Sequence, residues 1–305
     1  MKKLIGMVLI IVSFLNLALC KTYSLTLDDN EYKNNIKRDL LVLMVAYEDE
    51  IEDIEVSQDS FVYLILKNGK KVLYDDKKEK GKEEKISNAD IQDTLEIIYP
   101  LNSIDSVLDN IDPGRGRSYS FLNVIYGSNR NEIEKNLSNF STGCGNIMFN
   151  KNAKAGESLK KSLNGAKELI SRDGYVSSYV FPINGTYNYR VIQDTGRLSP
   201  HAYGIAIDLN RNNADYWKWV DKAKGSKRIE GYPKELVKIF EDNGFVWGGK
   251  WSHFDILHFE YRPEVILKSK YFGDLSKLNE GKWYEGVPID EKIERIIKII
   301  DCKII

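Results

Sequence analysis

Cysteine and histidine are scarce in this 305-residue chain, with three of each. No two cysteines form a CxxC pair, which argues against a thiolate zinc site. Cys20 falls in an apolar N-terminal segment. Cys144 and Cys302 are far apart, and in an oxidising compartment they would be able to pair; two unpaired thiols are an equal alternative. An excess of one charge sign is also missing. The net charge is −1 with no dominating basic patch, so the electrostatic footprint of a nucleic-acid binder is absent. There is no internal repeat, and no Pro/Ser-rich linker sets one part of the chain apart from another.

One apolar run stands out. "MKKLIGMVLIIVSFLNLALC" opens with Lys2 and Lys3 and carries no further charge up to Cys20. It is short for a membrane span and suits a signal peptide over residues 1–20, cleaved after Cys20. Its removal would take the net charge from −1 to −3, because it holds two lysines and no acid. An uncleaved anchor and a lipoprotein reading of "LALC" are alternatives. Each version places the bulk of the chain outside the cytoplasm, as an exported protein of the extracellular space, cell wall or periplasm.

Residues 36–48 have helical apolar spacing, and "DSFVYLILKNGKKVLYDD" reads as a hairpin around Asn68-Gly69. The charge run 77–85 reads as a solvated loop, and Asn88 as a cap before a second helix. "DPGRGR" at 112–117 reads as a loop. Leu159, Leu163, Ala166 and Ile170 share a helical face. Pro233 and Gly244 bracket another helix, "HFEYR" alternates like a strand, and the tail from Asp290 is an amphipathic helix. Helices and hairpins mix without a βαβ rhythm, so the expected class is α+β.

All three histidines, His201, His253 and His258, fall within 58 residues of each other. His201 lies seven residues ahead of Asp208, and Asp255 three ahead of His258. Two imidazoles and one carboxylate form the set a catalytic zinc takes, and a further carboxylate can accept a proton from water. Ile205-Ala206-Ile207 would hold Asp208 on a strand, and Gly204 would allow a tight turn. On spacing alone, a buried histidine and a capping aspartate explain these residues equally well.

"RLSPHAYGIAIDLN" followed by "GFVWGGKWSHFDILHFEYRPE" closely resembles the zinc D-alanyl-D-alanine carboxypeptidase family (the VanY- and VanX-type peptidases, with related L-alanyl-D-glutamate endopeptidases). Ser199, His201, Gly204, Ala206 and Asp208 fill its SxHxxGxAxD pattern. Asp255 and His258 fill the carboxylate-xx-His that follows. The resemblance extends upstream through "YDDKKEK", "DIQDTLEIIYPL" and "DPGR", which would make it cover most of the mature chain. The resemblance implies one Zn2+ per chain held by His201, Asp208 and His258, with Asp255 as general base. It also implies a small antiparallel sheet flanked by helices, Hedgehog/DD-peptidase-like.

The family places an arginine upstream of the first ligand. Arg190 and Arg197 are the candidates, with Arg190 preferred because Arg197 is close enough to brace the ligand turn. Ser199 is a candidate substrate contact or a turn cap. His253 is a partner of the site or a packed histidine. Trp247 and Trp251 are groove-lining or core, and Glu260 is a candidate to orient a neighbour.

The activity implied is hydrolysis of peptidoglycan stem peptides, as a D-alanyl-D-alanine carboxypeptidase. Zinc would polarise the attacking water and Asp255 would deprotonate it. An L-alanyl-D-glutamate endopeptidase, an LD-carboxypeptidase and a non-catalytic wall-binding protein are the alternatives. The last is disfavoured because all three ligands and the base are present. No nucleic-acid partner is expected, and no membrane partner beyond the signal segment. The expected organisation is a region 21–150 packed on the core, a catalytic domain 151–275 and a helical tail 276–305.

Overall fold

Three small antiparallel sheets organise the chain, and the third carries the candidate site. The computed structural model describes residues 30–193, 195–274 and 281–305. The signal-peptide expectation for residues 1–20 lies outside the described residues. Among those described, no helix is long and apolar enough to cross a membrane.

The first sheet is the meander β1 (Ile51–Val56), β2 (Val62–Leu66), β3 (Lys71–Leu73). Its second turn is the one Asn68-Gly69 predicts, with Gly69 at φ 77°. β4 (Leu137–Thr142) and β5 (Gly145–Asn150) form a separate hairpin. The third sheet has the order β6 (Ala206–Asp208), β8 (His258–Tyr261), β7 (Phe245–Trp247). β8 is central and buried along its whole length. Its inner side packs Phe259 on Phe240 at 4.3 Å and near Trp247 at 6.3 Å. Trp247 is core, and its indole nitrogen donates to the Ile256 carbonyl at 2.7 Å.

Two expectations need correcting around the charge run. Lys80 is not solvated: its side chain is 1% exposed and pairs with Asp76, Asp90 and Asp93. The following helix, Ile91–Glu96, is capped by Asp90 rather than Asn88. Asp90 accepts from the Asp93 amide while Asp93 accepts from the Asp90 amide, a reciprocal capping box. Two carboxylates at the helix start also suit its dipole.

The helix Ala155–Arg172 buries Leu159, Leu163 and Ala166 as its spacing predicts. Its other apolar contact, Leu169, is buried beside the half-buried Ile170. Helix Lys234–Asp242 begins after Pro233, and Gly244 at φ 86° ends the turn into β7.

Residues before 150 share one hydrophobic core with the rest. Buried polar bonds join them as well. The Tyr47 hydroxyl donates to Glu264 at 2.6 Å, Tyr99 to Glu241 at 2.6 Å, and Lys268 pairs with Asp39. Cys144 is a free thiol, so the Cys144–Cys302 pair considered from sequence does not form.

Candidate metal centre

Antiparallel pairing of β6 with β8 places Asp208 directly opposite His258. A strand partner pair has its side chains on one face, about 5 Å apart at Cβ. His201 reaches the same point from a one-turn helix, Pro200–Tyr203. Ser199 caps that turn: its hydroxyl accepts from the His201 amide at 3.3 Å, and Pro200 takes the first helical position. Gly204 ends it at φ 68°, where an added Cβ would lie 2.6 Å from Leu137 Cδ2. The chain can therefore reverse directly into β6, which is the role the sequence assigned to this glycine.

Three donor atoms converge. His201 Nε2 lies 3.2 Å from His258 Nδ1, and Asp208 Oδ1 is 3.2 Å from the former and 2.9 Å from the latter. Ligands ~2.1 Å from one tetrahedral zinc stand ~3.3 Å apart, so the triangle is about the right size. The opposite ring atoms bear on the tautomers. His201 Nδ1 faces the Thr186 carbonyl at 2.6 Å, which can only accept, so it carries the hydrogen. His258 Nε2 faces the Glu260 carboxylate at 3.7 Å. Two ring nitrogens and a carboxylate oxygen therefore face one another, an arrangement that suits a metal ion or, in its place, a shared proton. These residues form a group able to hold a metal ion.

Electrostatics support that reading. Burial raises Asp208, but the hydrogen bonds and charges of both imidazoles outweigh it and hold the carboxylate well below its usual range. Burial lowers His258, and Asp208 and Glu260 outweigh it, lifting the ring to about 10. Without a metal, a proton then takes the cation's place.

Glu260 is fully buried and is gripped by Arg117: Nε lies 2.9 and 3.0 Å from its two oxygens, and Nη2 lies 2.6 Å from Oε2. Arg262 stands 3.6 Å away and pairs with Glu264, which in turn accepts from Tyr47. Glu260 thus orients His258, and a chain of buried charges ties that orientation to the N-terminal part.

Asp255 sits in the same cleft, whose volume is about 390 Å³. Its carboxylate accepts no hydrogen bond from the described residues. Burial raises it first, the Asp208 charge adds to this, and the two imidazoles oppose, leaving it at about 6. Arg190 also lines the cleft; it is exposed, and its side chain has no hydrogen-bond partner among the described residues. Arg197 does not line it; its Nη1 donates to the Ile86 carbonyl at 2.6 Å and braces the loop.

His253 lines the cleft too, hydrogen-bonded to Asp112 at 2.7 Å, and Trp251 is both buried and cleft-lining. In the sequence Asp112 and Arg115 stand out only as part of "DPGR", and nothing there singles out Arg117, Arg211, Trp217 or Trp219. Arg115 and Arg117 sit in "DPGRGR", where two arginines alternating with two glycines are the available signal.

Residues 193–261 match the family model described as D-alanyl-D-alanine carboxypeptidase. The matched segment carries β6, β7, β8 and every residue of the metal triangle. It supports the resemblance to the zinc D-alanyl-D-alanine carboxypeptidases and a peptidase that acts on peptidoglycan. No curated protein and no solved structure matches the chain.

Proposed function

We propose that the protein is an exported zinc peptidase that trims peptidoglycan stem peptides as a D-alanyl-D-alanine carboxypeptidase. The observation that carries this reading is the convergence of His201 Nε2, His258 Nδ1 and Asp208 Oδ1 beside the unpartnered carboxylate of Asp255. That donor set lies within the segment matched by the carboxypeptidase family.

A zinc ion held by these three residues would supply Lewis-acid polarisation of the scissile carbonyl and make water a stronger acid. Asp255 accepts the proton from the attacking water and then passes it to the leaving amine. Burial fits it to this task, because a carboxylate near 6 is a stronger base than an ordinary one and still ionised at neutral pH. Arg190 supplies a positive charge toward the oxygen that becomes anionic. Ser199 keeps His201 in place by capping its turn, and its hydroxyl lines the cleft where a substrate amide would pass. Glu260, clamped by Arg117, keeps His258 Nδ1 free as a ligand atom.

The test is digestion of defined muropeptides followed by mass spectrometry, with and without a chelator. Loss of one terminal alanine, abolished by chelation and restored by zinc, is expected. Release of a longer stem fragment would mark an endopeptidase, and activity indifferent to chelation would overturn the zinc reading.

A further inference from the structure

One wall of the cleft comes from the loop 111–117, outside the family-matched segment. The loop is stitched to the catalytic segment. Ser252 N donates to Ile111 O at 2.8 Å, and Trp251 Nε1 to Pro113 O at 2.8 Å. Arg262 Nη1 donates to Gly114 O and Gly116 O at 3.1 and 3.0 Å. Gly114 sits at φ 73°, where an added Cβ would lie 3.3 Å from both Val246 Cγ1 and Val265 Cγ1. So many bonds leave the loop little freedom to drift.

Asp112 is the organising residue of this wall. Its Oδ1 accepts from the His253 amide at 2.9 Å, and its Oδ2 stands 2.7 Å from His253 Nδ1. A carboxylate fixes the hydrogen on Nδ1, so the ring's remaining polar atom, Nε2, is left for a ligand. Nε2 has no hydrogen-bond partner among the described residues. The ring is also set edge-on against Trp217, with centroids 4.6 Å apart. The same Oδ2 lies 3.7 Å from Arg115 Nη1. Arg115 and His253 both line the cleft. One carboxylate, itself 9% exposed, therefore holds two nitrogen-bearing side chains on one wall.

We propose that Arg115 and His253, jointly positioned by Asp112, bind the free C-terminal carboxylate of the substrate. This rests on the peptidase reading above and makes the loop 111–117 the element that selects a terminal bond over an internal one. Arg115 offers the planar donor fork suited to a carboxylate, and His253 donates from Nε2 as the imidazolium, with Asp112 on one side of the ring and the substrate carboxylate on the other. Arg211 is also in the cleft but stacks on the exposed Trp219 ring at 4.3 Å, where its guanidinium is already engaged.

The test compares a stem tripeptide ending in D-alanyl-D-alanine with its C-terminal amide. Hydrolysis is followed in the zinc-loaded wild-type enzyme, and binding by calorimetry in the zinc-loaded Asp255→Ala protein. The acid should be preferred by about 10- to 100-fold, expressed in KM and binding rather than kcat. Arg115→Ala and His253→Gln should each lose most of that preference. Arg115→Lys should recover part of it, and Arg211→Ala should leave it intact.

Zinc content and melting temperature identify any variant that fails to fold, and the second variant then carries the test. A wild type that discriminates while both variants still do so overturns this assignment and leaves the carboxypeptidase reading standing. A wild type that treats acid and amide alike overturns both.

Discussion

Two clusters of acceptors lie in this molecule, and they solve the same electrostatic problem differently. Asp76, Asp90 and Asp93 surround Lys80 Nζ at 3.0, 2.8 and 2.7 Å. The cation is part of the chain, and the two helix-starting carboxylates satisfy each other's amides as well. His201, Asp208 and His258 converge as tightly but enclose no lysine or arginine. Their outward ring atoms are spent on Thr186 and Glu260, and the inward lone pairs are left facing each other. An acidic group alone therefore says little about metals. A converging group whose counter-charge is absent, and whose outer atoms are pinned, says much more.

The contrast yields measurable differences. The largest concerns Asp255, the proposed base beside the open triangle. Asp255→Ala should lower hydrolysis by about 10²- to 10⁴-fold while zinc stays near one equivalent per chain. Full activity in that variant would assign the base elsewhere. Next comes the closed cluster. Lys80→Met removes the built-in cation from three carboxylates and should destabilise the fold by about 3–5 kcal/mol. Urea unfolding measures this, and zinc stoichiometry of the folded fraction should not change. A matching loss of zinc would mean the clusters are not independent.

Smaller again is the effect on the support of the triangle. Glu260→Gln weakens the hold on His258 and should cost about 10- to 100-fold in zinc affinity, read by competition with a chromophoric chelator. An unchanged affinity would show that the 3.7 Å contact does not orient the ring.

How much of this the sequence could disclose follows from which contacts are local. His201, Ser199 and Gly204 form one turn, so their caps and spacing are readable along the chain. Asp208 and His258 become partners through sheet register, and there the family pattern supplied what spacing could not. The hairpin at Asn68-Gly69 was equally plain, because turn chemistry is local.

Arg117 meeting Glu260 and Asp112 meeting His253 span 143 and 141 residues, and neither carries a short-range mark. Lys80 was misread because a charge run is normally solvated, and its burial depends on carboxylates that the helix start brings round it. Burial of charge is a property of tertiary packing, which composition does not report.

The mildest prediction separates the two clusters by pH. Burial leaves Asp255 at about 6, above the ordinary 3.8 of an aspartate. A base must be ionised to work, so kcat/KM should fall tenfold per pH unit below its limb and level off above it. A zinc ion nearby favours the ionised form, so the limb of the loaded enzyme should lie at or below 6. Stability runs the other way in the metal-free protein. Between about 4 and 6 the folded state holds a proton on Asp255 that the unfolded state has released, so this group's contribution falls as pH rises through that window. Asp255→Asn should remove that decline, seen as a flatter melting temperature from pH 4 to 6. In the closed cluster Lys80 keeps its charge throughout and the carboxylates diverge: Asp76 is held down near 2, burial being outweighed by its bonds to Lys80 and Lys78, while burial raises Asp90, which adds a weaker decline of the same sign. An Asp255→Asn protein whose melting temperature falls between pH 4 and 6 as steeply as the wild type's would assign the decline to other buried carboxylates, Asp90 among them.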